Sequence, residues 1–134
     1  MITSSDGEQP LSNEHDIVLS RQAVRKMTQE LGFSLVDQTK MVTAASELAR
    51  NAVIYGGGGV MKWTLLSQGA KRGLRLSFED EGPGIADLDL AMTDGWSSGS
   101  GLGLGLTGTR RLVNEFEIQS APGQGTRVVI TRWK

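Results

Sequence analysis

The 134-residue chain has no cysteine and a single histidine, His15. Disulfide frameworks and thiol nucleophiles are therefore excluded, as are the Cys/His spacings that hold zinc. An excess of one charge is also missing: 14 Lys+Arg against 15 Asp+Glu give a formal net charge of -1. That balance offers no general attraction for nucleic acid or anionic lipid. No apolar run approaches the ~18 residues of a membrane span, and the first residues lack the basic-then-apolar order of a signal peptide. The expectation is one soluble, cytoplasmic domain, long enough to bury roughly two-thirds of the surface its unfolded chain exposes.

Residues 1–13, "MITSSDGEQPLSN", are polar and without periodicity, so they read as a flexible N-terminal tail ahead of a single domain over 14–134. Ile17 and Leu19 suit a short strand, with Ser20 capping a helix that carries Ala23, Val24, Met27 and Leu31 and ends at Gly32. Ser34 with Asp37 resembles a capping box, and opens a second helix whose apolar stripe is Met41, Ala44, Ala45, Leu48 and Ala52. Gly56 to Gly59 stop it. The period then becomes two: Met61, Trp63 and Leu65, a turn at Gly69 to Gly73, then Leu74, Leu76 and Phe78. From Glu81 to Gly103 the chain reads as loop, with one helical turn near Leu88 to Met92. A helix from about Leu104 to Glu115, a strand over 116–120 and a final strand over 126–133 complete the chain. This order predicts an α+β two-layer sandwich, a mixed sheet with its helices segregated to one face.

Three groups of residues break their own patterns. Asp80 ends its strand in phase with Leu74, Leu76 and Phe78, which aims a carboxylate at the buried side. Either it twists out to solvent or caps a turn, or it holds a ligand beside the tight "DEGPGI" turn. Glu47 and Asn51 stand one helical turn apart. They are either the solvated edge of an amphipathic helix, or an amide ligand for Mg²⁺ beside a carboxylate that polarises a hydroxyl. The third group is "GSGLGLGLTG", residues 99–108. Its G-x-G-x-x-G match is not a dinucleotide fingerprint, because a Ser/Gly loop precedes it and no acid follows at ~20 residues. The companion motifs of protein kinases and the Gly-Lys of a P-loop are missing as well. What remains is a glycine-rich turn running into a helix N-terminus, a surface that phosphate oxygens can approach closely.

Together, E-x-x-x-N on a helix, D-x-G-P-G at a strand end and G-x-G-x-G opening a later helix resemble the ATP site of the GHKL superfamily, named for gyrase, Hsp90, histidine kinases and MutL. Gly125-Thr126 resembles that superfamily's last Gly-Thr element. The resemblance implies the Bergerat fold and assigns roles by position. Asn51 would ligate Mg²⁺, Glu47 would be the general base, and Asp80 would accept from the adenine amino group. Gly82, Gly84 and Ile85 would shape the adenine pocket. The stretch from Ile85 to Gly103 would form a lid hinged at Ser97 to Gly101. Gly101, Gly103 and Gly105, with Leu102, Leu104 and Leu106 among them, would hold the phosphates, and Thr126 would lie near the adenine.

Neither a histidine kinase's phosphoacceptor helices nor a gyrase-type transducer domain is expected beside the single domain read over 14–134. The likeness therefore narrows to the small bacterial serine/threonine kinases of partner-switching systems, above all the stressosome switch kinases. It is carried by "ELGFSLVDQTKMVTAASELARNAVIY", the segment 79–118 and "SAPGQGTRVVITRWK". It implies phosphorylation of STAS-domain proteins of the RsbS or RsbR type, followed by regulation of another protein such as a PP2C-type phosphatase. The alternative implied by the same superfamily is an anti-sigma factor that sequesters a sigma factor and phosphorylates its antagonist. A nucleotide-sensing scaffold without transfer activity is a third reading, against which Glu47 argues. Arg110 and Arg111 stay open between ATP, a partner and solvent. Trp63 and Trp133 read as core, and Trp96 as part of the lid.

Overall fold

The computed structural model describes residues 6–85 and 105–134. The elements run β1 (Asp6–Leu11), α1 (Glu14–Glu30), α2 (Leu35–Ile54), β2 (Gly59–Gln68), β3 (Lys71–Asp80), α3 (Gly105–Arg110), β4 (Glu115–Ser120) and β5 (Thr126–Trp133). The expected turn at Leu88 to Met92 and the segment carrying Trp96 lie outside the described residues.

The two long helices start where side chains satisfy their first free amides. Asn13 caps α1 by accepting from the Asp16 amide at 3.0 Å, and Asp16 returns by accepting from the Ser12 amide at 2.8 Å. This pair overturns the strand expected at Ile17 and Leu19: the helix begins six residues before Ser20, whose hydroxyl donates to the Ile17 carbonyl at 2.7 Å. Ser34 caps α2 as expected, accepting from Asp37 N at 3.1 Å. The stripe Met41, Ala44, Ala45, Leu48, Ala49 and Ala52 is buried. Its alanines let α2 lie close to α1 and β3.

The sheet order is β1-β2-β3-β5-β4, and every pairing among the described residues is antiparallel. The helices do gather on one face, but the sheet is antiparallel rather than mixed. Two tight hairpins, β2–β3 and β4–β5, each reverse the chain, and β5 returns alongside β3 in the opposite direction. Asp6 to Leu11, expected within a loose tail, pair with β2, and Leu11 is fully buried. The helix expected to run to Glu115 ends at Arg110. Its last amides tighten to i→i−3 bonds, Leu112 to Thr109 at 3.0 Å and Val113 to Arg110 at 3.5 Å, and Asn114 N then reaches the Thr131 carbonyl at 3.0 Å. Pairing with β5 takes the chain from there.

Register sorts the two faces. Met61, Trp63 and Leu65 stand opposite Phe78, Leu76 and Leu74, which stand opposite Val128, Ile130 and Arg132. This face packs on the helices, and its apolar residues form the core with Val24, Met41 and Leu48. Burying side chains of this size stabilises the fold by about 1.5–3 kcal/mol each. The other face carries Lys62, Glu79 and Arg127, joined as Lys62–Glu79 at 3.4 Å and Arg127–Glu79 at 3.8 Å. Trp133 belongs to that second face, opposite Gly73, with its indole nitrogen donating to Glu115 at 2.8 Å. It is therefore not core, while Trp63 is half-buried against Gly7 on the helix side.

Candidate nucleotide site

One cross-strand row gathers the predicted residues of the sheet. Gly59, Asp80, Thr126 and Ser120 stand side by side across β2, β3, β5 and β4, on the helix-facing side. Asp80 does not swing out to solvent but caps the turn that follows it: its Oδ1 accepts from the Gly82 amide at 3.0 Å, and Oδ2 lies beside Gly56 at the end of α2. A methyl group on Gly56 would run into this carboxylate, and one on Gly82 would sit 2.7 Å from Gly56 Cα. The "DEGPG" turn and the α2 terminus therefore meet backbone to backbone, which only glycines permit.

The same turn is fastened to the β4–β5 connection. Gly123 N donates to the Pro83 carbonyl at 2.7 Å, and Ile85 N donates to Ser120 Oγ at 2.7 Å. Gly84 turns against Ala121 between these two bonds. Gly125 has φ +74° and its α-carbon faces the Asp80 carbonyl, leaving no room for a side chain. A cleft of about 1000 Å³ opens at this end of the sheet, and its wall takes in Asp80, Ser120, Gly125 and Thr126 together with Val60, Glu79, Gln119 and Arg127 of the outer-face row.

Glu47 and Asn51 project from α2 one turn apart, and the Asn51 carbonyl accepts from Gly56 N at 3.0 Å. The helix thus joins the pair to the Asp80 pocket, although neither residue is in the cleft wall. Asn51 Oδ1 is buried and has no hydrogen-bond partner among the described residues. Glu47 Oε2 is buried as well. A buried amide oxygen left unpaired costs about 1–3 kcal/mol, and a hard cation removes that cost. No group of three or more His, Cys, Asp or Glu side chains comes together among the described residues. Asn51 Oδ1 is the donor that would hold a magnesium ion here, a single amide oxygen being a suitable hard ligand.

Of the expected phosphate-binding stretch, Gly101, Leu102, Gly103 and Leu104 lie outside the described residues, as does the lid beyond Ile85. Gly105 opens α3, and the Leu106 side chain is buried in the core, so its contribution to a ligand would be through backbone alone. Arg110 and Arg111 are exposed at the far end of α3. His15 is exposed on the first turn of α1. Gly56 and Ser120 escape the sequence reading. Gly56 reads there only as a helix stop, and Ser120 carries no signal beyond its place two residues after Ile118 in strand phase.

The sequence profile described as "Histidine kinase-, DNA gyrase B-, and HSP90-like ATPase" matches residues 36–134. The chain belongs to this ATPase family. It is 44% identical over 92% of its length to the serine/threonine-protein kinase RsbT of Bacillus subtilis (strain 168), covering 92% of that protein. It is 28% identical over 91% of its length to the anti-sigma F factor of Clostridium novyi (strain NT), covering 89% of it. Among solved structures, the RsbU and RsbW domains of Rv1364c from Mycobacterium tuberculosis match 97% of the chain with a TM-score of 0.64 and 21% identity. The chain spans 32% of that longer protein, and the likeness is one of fold. No helix among the described residues is long and apolar enough to cross a membrane.

Proposed function

We propose that this ATPase-family member phosphorylates a serine or threonine on a STAS-domain partner of the RsbS or RsbR type and, once released, regulates a second protein such as a PP2C-type phosphatase. At the coarser level the chain is a serine/threonine-protein kinase using ATP, and the observation that carries this is its 44% identity to RsbT across 92% of both chains. The geometry supports the chemistry. Asp80 and Thr126 offer oxygens to an adenine ring from adjacent strands. Asn51 Oδ1 would hold Mg²⁺, which when bound offsets the charge of the triphosphate. Glu47, one turn away on the same helix face, would take the proton of the incoming hydroxyl as that hydroxyl's oxygen bonds to the γ-phosphorus and the bond from that phosphorus to the departing ADP breaks. Gly105, which opens α3, would offer its backbone to the phosphates, with the glycine run before it as the expected partner.

The anti-sigma F relatives, 28% identical at nearly full length, favour a second reading in which sequestering a sigma factor is the main output. Both readings use the same ATP site and differ in the partner. The test is transfer from γ-labelled ATP with Mg²⁺ to a STAS-domain protein encoded beside this chain, with Glu47→Ala as control. Transfer that needs Glu47 is the expected result. ATP binding without transfer, together with capture of a sigma factor, would replace the kinase reading with the sequestering one.

A further inference from the structure

Ser120 Oγ makes three polar contacts, and counting protons around it fixes their direction. The Gly125 carbonyl, 2.9 Å away, can only accept, so it takes the one proton that Ser120 has. The Ile85 amide, 2.7 Å away, can only donate, and it fills one of the two lone pairs. The third neighbour is Thr126 Oγ1 at 2.8 Å. With the serine proton spent on Gly125, this contact is made by the threonine donating to the remaining lone pair. The hydroxyl proton of Thr126 is thereby committed to Ser120 on β4.

We infer that Ser120 is a positioning residue that sets base specificity by holding Thr126 as a pure acceptor. The inference rests on the adenine-pocket reading above. In that pocket Asp80 stands directly across from Thr126, and Asp80 Oδ2 is an acceptor too. Two acceptors from neighbouring strands suit a ligand edge that donates, such as an exocyclic amine. They oppose a carbonyl at the same place, because lone pairs then face lone pairs. A threonine free to rotate would serve either edge, so Asp80 alone would discriminate less. The Gly125 carbonyl keeps the network from reversing, since it takes the only proton with which Ser120 could donate to Thr126.

The experiment measures binding of three triphosphates: ATP, ITP with a carbonyl at position 6, and purine riboside triphosphate with hydrogen there. In the wild type ATP should bind more tightly than ITP. Equal affinities would overturn the adenine-pocket reading itself. In Ser120→Ala the ATP/ITP ratio should fall by roughly 5- to 10-fold, the value of one hydrogen bond reoriented, with purine riboside triphosphate serving as the internal standard. A ratio that stays at the wild-type value, or a uniform loss for all three ligands, would overturn the positioning role. Thr126→Val keeps the side-chain shape and tests polarity without touching Ser120. ATP should weaken while ITP holds or improves, and the reverse pattern would show that Thr126 donates to the ligand.

Discussion

Replacing Asp80 by asparagine changes one atom that faces the proposed base. The substitution is isosteric, and the asparagine oxygen can still accept from the Gly82 amide, now 3.0 Å from Asp80 Oδ1. That bond orients the amide and places its NH2 where Oδ2 lies, beside Gly56. The pocket then offers a donor to the adenine amino group, which is itself a donor. A hydrogen bond to a charged acceptor is worth about 1.5–3 kcal/mol, so ATP affinity should fall by roughly 10- to 100-fold. The fold should notice little. The turn bond survives in neutral form at a cost below about 1 kcal/mol, which moves Tm by no more than about 4 °C in a domain of this size. Calorimetric titration with ATP and a thermal melt on the same sample read both numbers. Unchanged affinity would refute the assignment of Asp80 to the base. A Tm loss as large as that of an unfolding core variant would assign it to structure instead.

Glu47→Ala should keep ATP bound within a few-fold and lower phosphate transfer by about 10²- to 10⁴-fold, the range of a lost general base; retained transfer in a single-turnover assay removes Glu47 from the mechanism. Gly56→Ala pushes a methyl group into the Asp80 carboxylate, so its ATP affinity should fall at least as far as that of Asp80→Asn while far-UV dichroism stays native; normal ATP affinity would show that the close approach is dispensable. Arg132 binds Asp37 Oδ1 at 2.6 Å and the Leu112 carbonyl at 2.8 Å, tying the start of α2 to the chain after α3. The Arg132 hydrogen bond and charge hold the Asp37 carboxyl below its usual range, with help from Ser34 and Lys40. A depressed folded pKa gives stability that is present above the unfolded value of about 3.9 and is lost as pH falls through the folded one. Arg132→Leu should therefore flatten the fall in urea midpoint between pH 5 and pH 2, and an unaltered slope would sink this account.

The residues whose chemistry depends on local periodicity are legible in the amino-acid sequence alone. Asp80 follows Leu74, Leu76 and Phe78 at spacing two, and its carboxylate does face the helices. Glu47 and Asn51 follow from a helix that Ser34 starts in register with its apolar stripe. Elements without a local signal are not legible. Residues 6–11 read "DGEQPL", with no β-branched residue and a proline, so propensity argues against a strand. They pair because they form an edge, where Pro10 needs no outward donor, and because Gly7 leaves room for the Trp63 ring. Trp133 is ambiguous for another reason. Val128, Val129 and Ile130 are consecutive apolar residues, so alternation does not say which phase of β5 is inward. Pairing with Leu76 and Phe78 makes Ile130 and Val128 the inward residues and leaves Trp133 outside.

The site itself lies in between, since its parts are local and its assembly is not. Asp80 is recognisable alone, but its usefulness depends on Gly56 coming from 24 residues upstream and Thr126 from 46 residues downstream, differences read from their positions in the chain. Register brings them together. Once Gly59 pairs with Asp80 and Asp80 with Thr126, one row of the sheet delivers backbone, carboxylate and two hydroxyls to the same edge. A one-residue slip in β3 would send Asp80 to the face of Glu79 and Arg127 and bring Glu79 inward. The salt bridges of Glu79 with Lys62 and Arg127 oppose that slip from the outer face, as Leu76 and Phe78 do from the core. Each exposed pair is worth at most about 1 kcal/mol, so the core dominates and the charges reinforce the same register. The apolar alternation that makes Asp80 conspicuous in the sequence is thus also what keeps its carboxylate in the pocket.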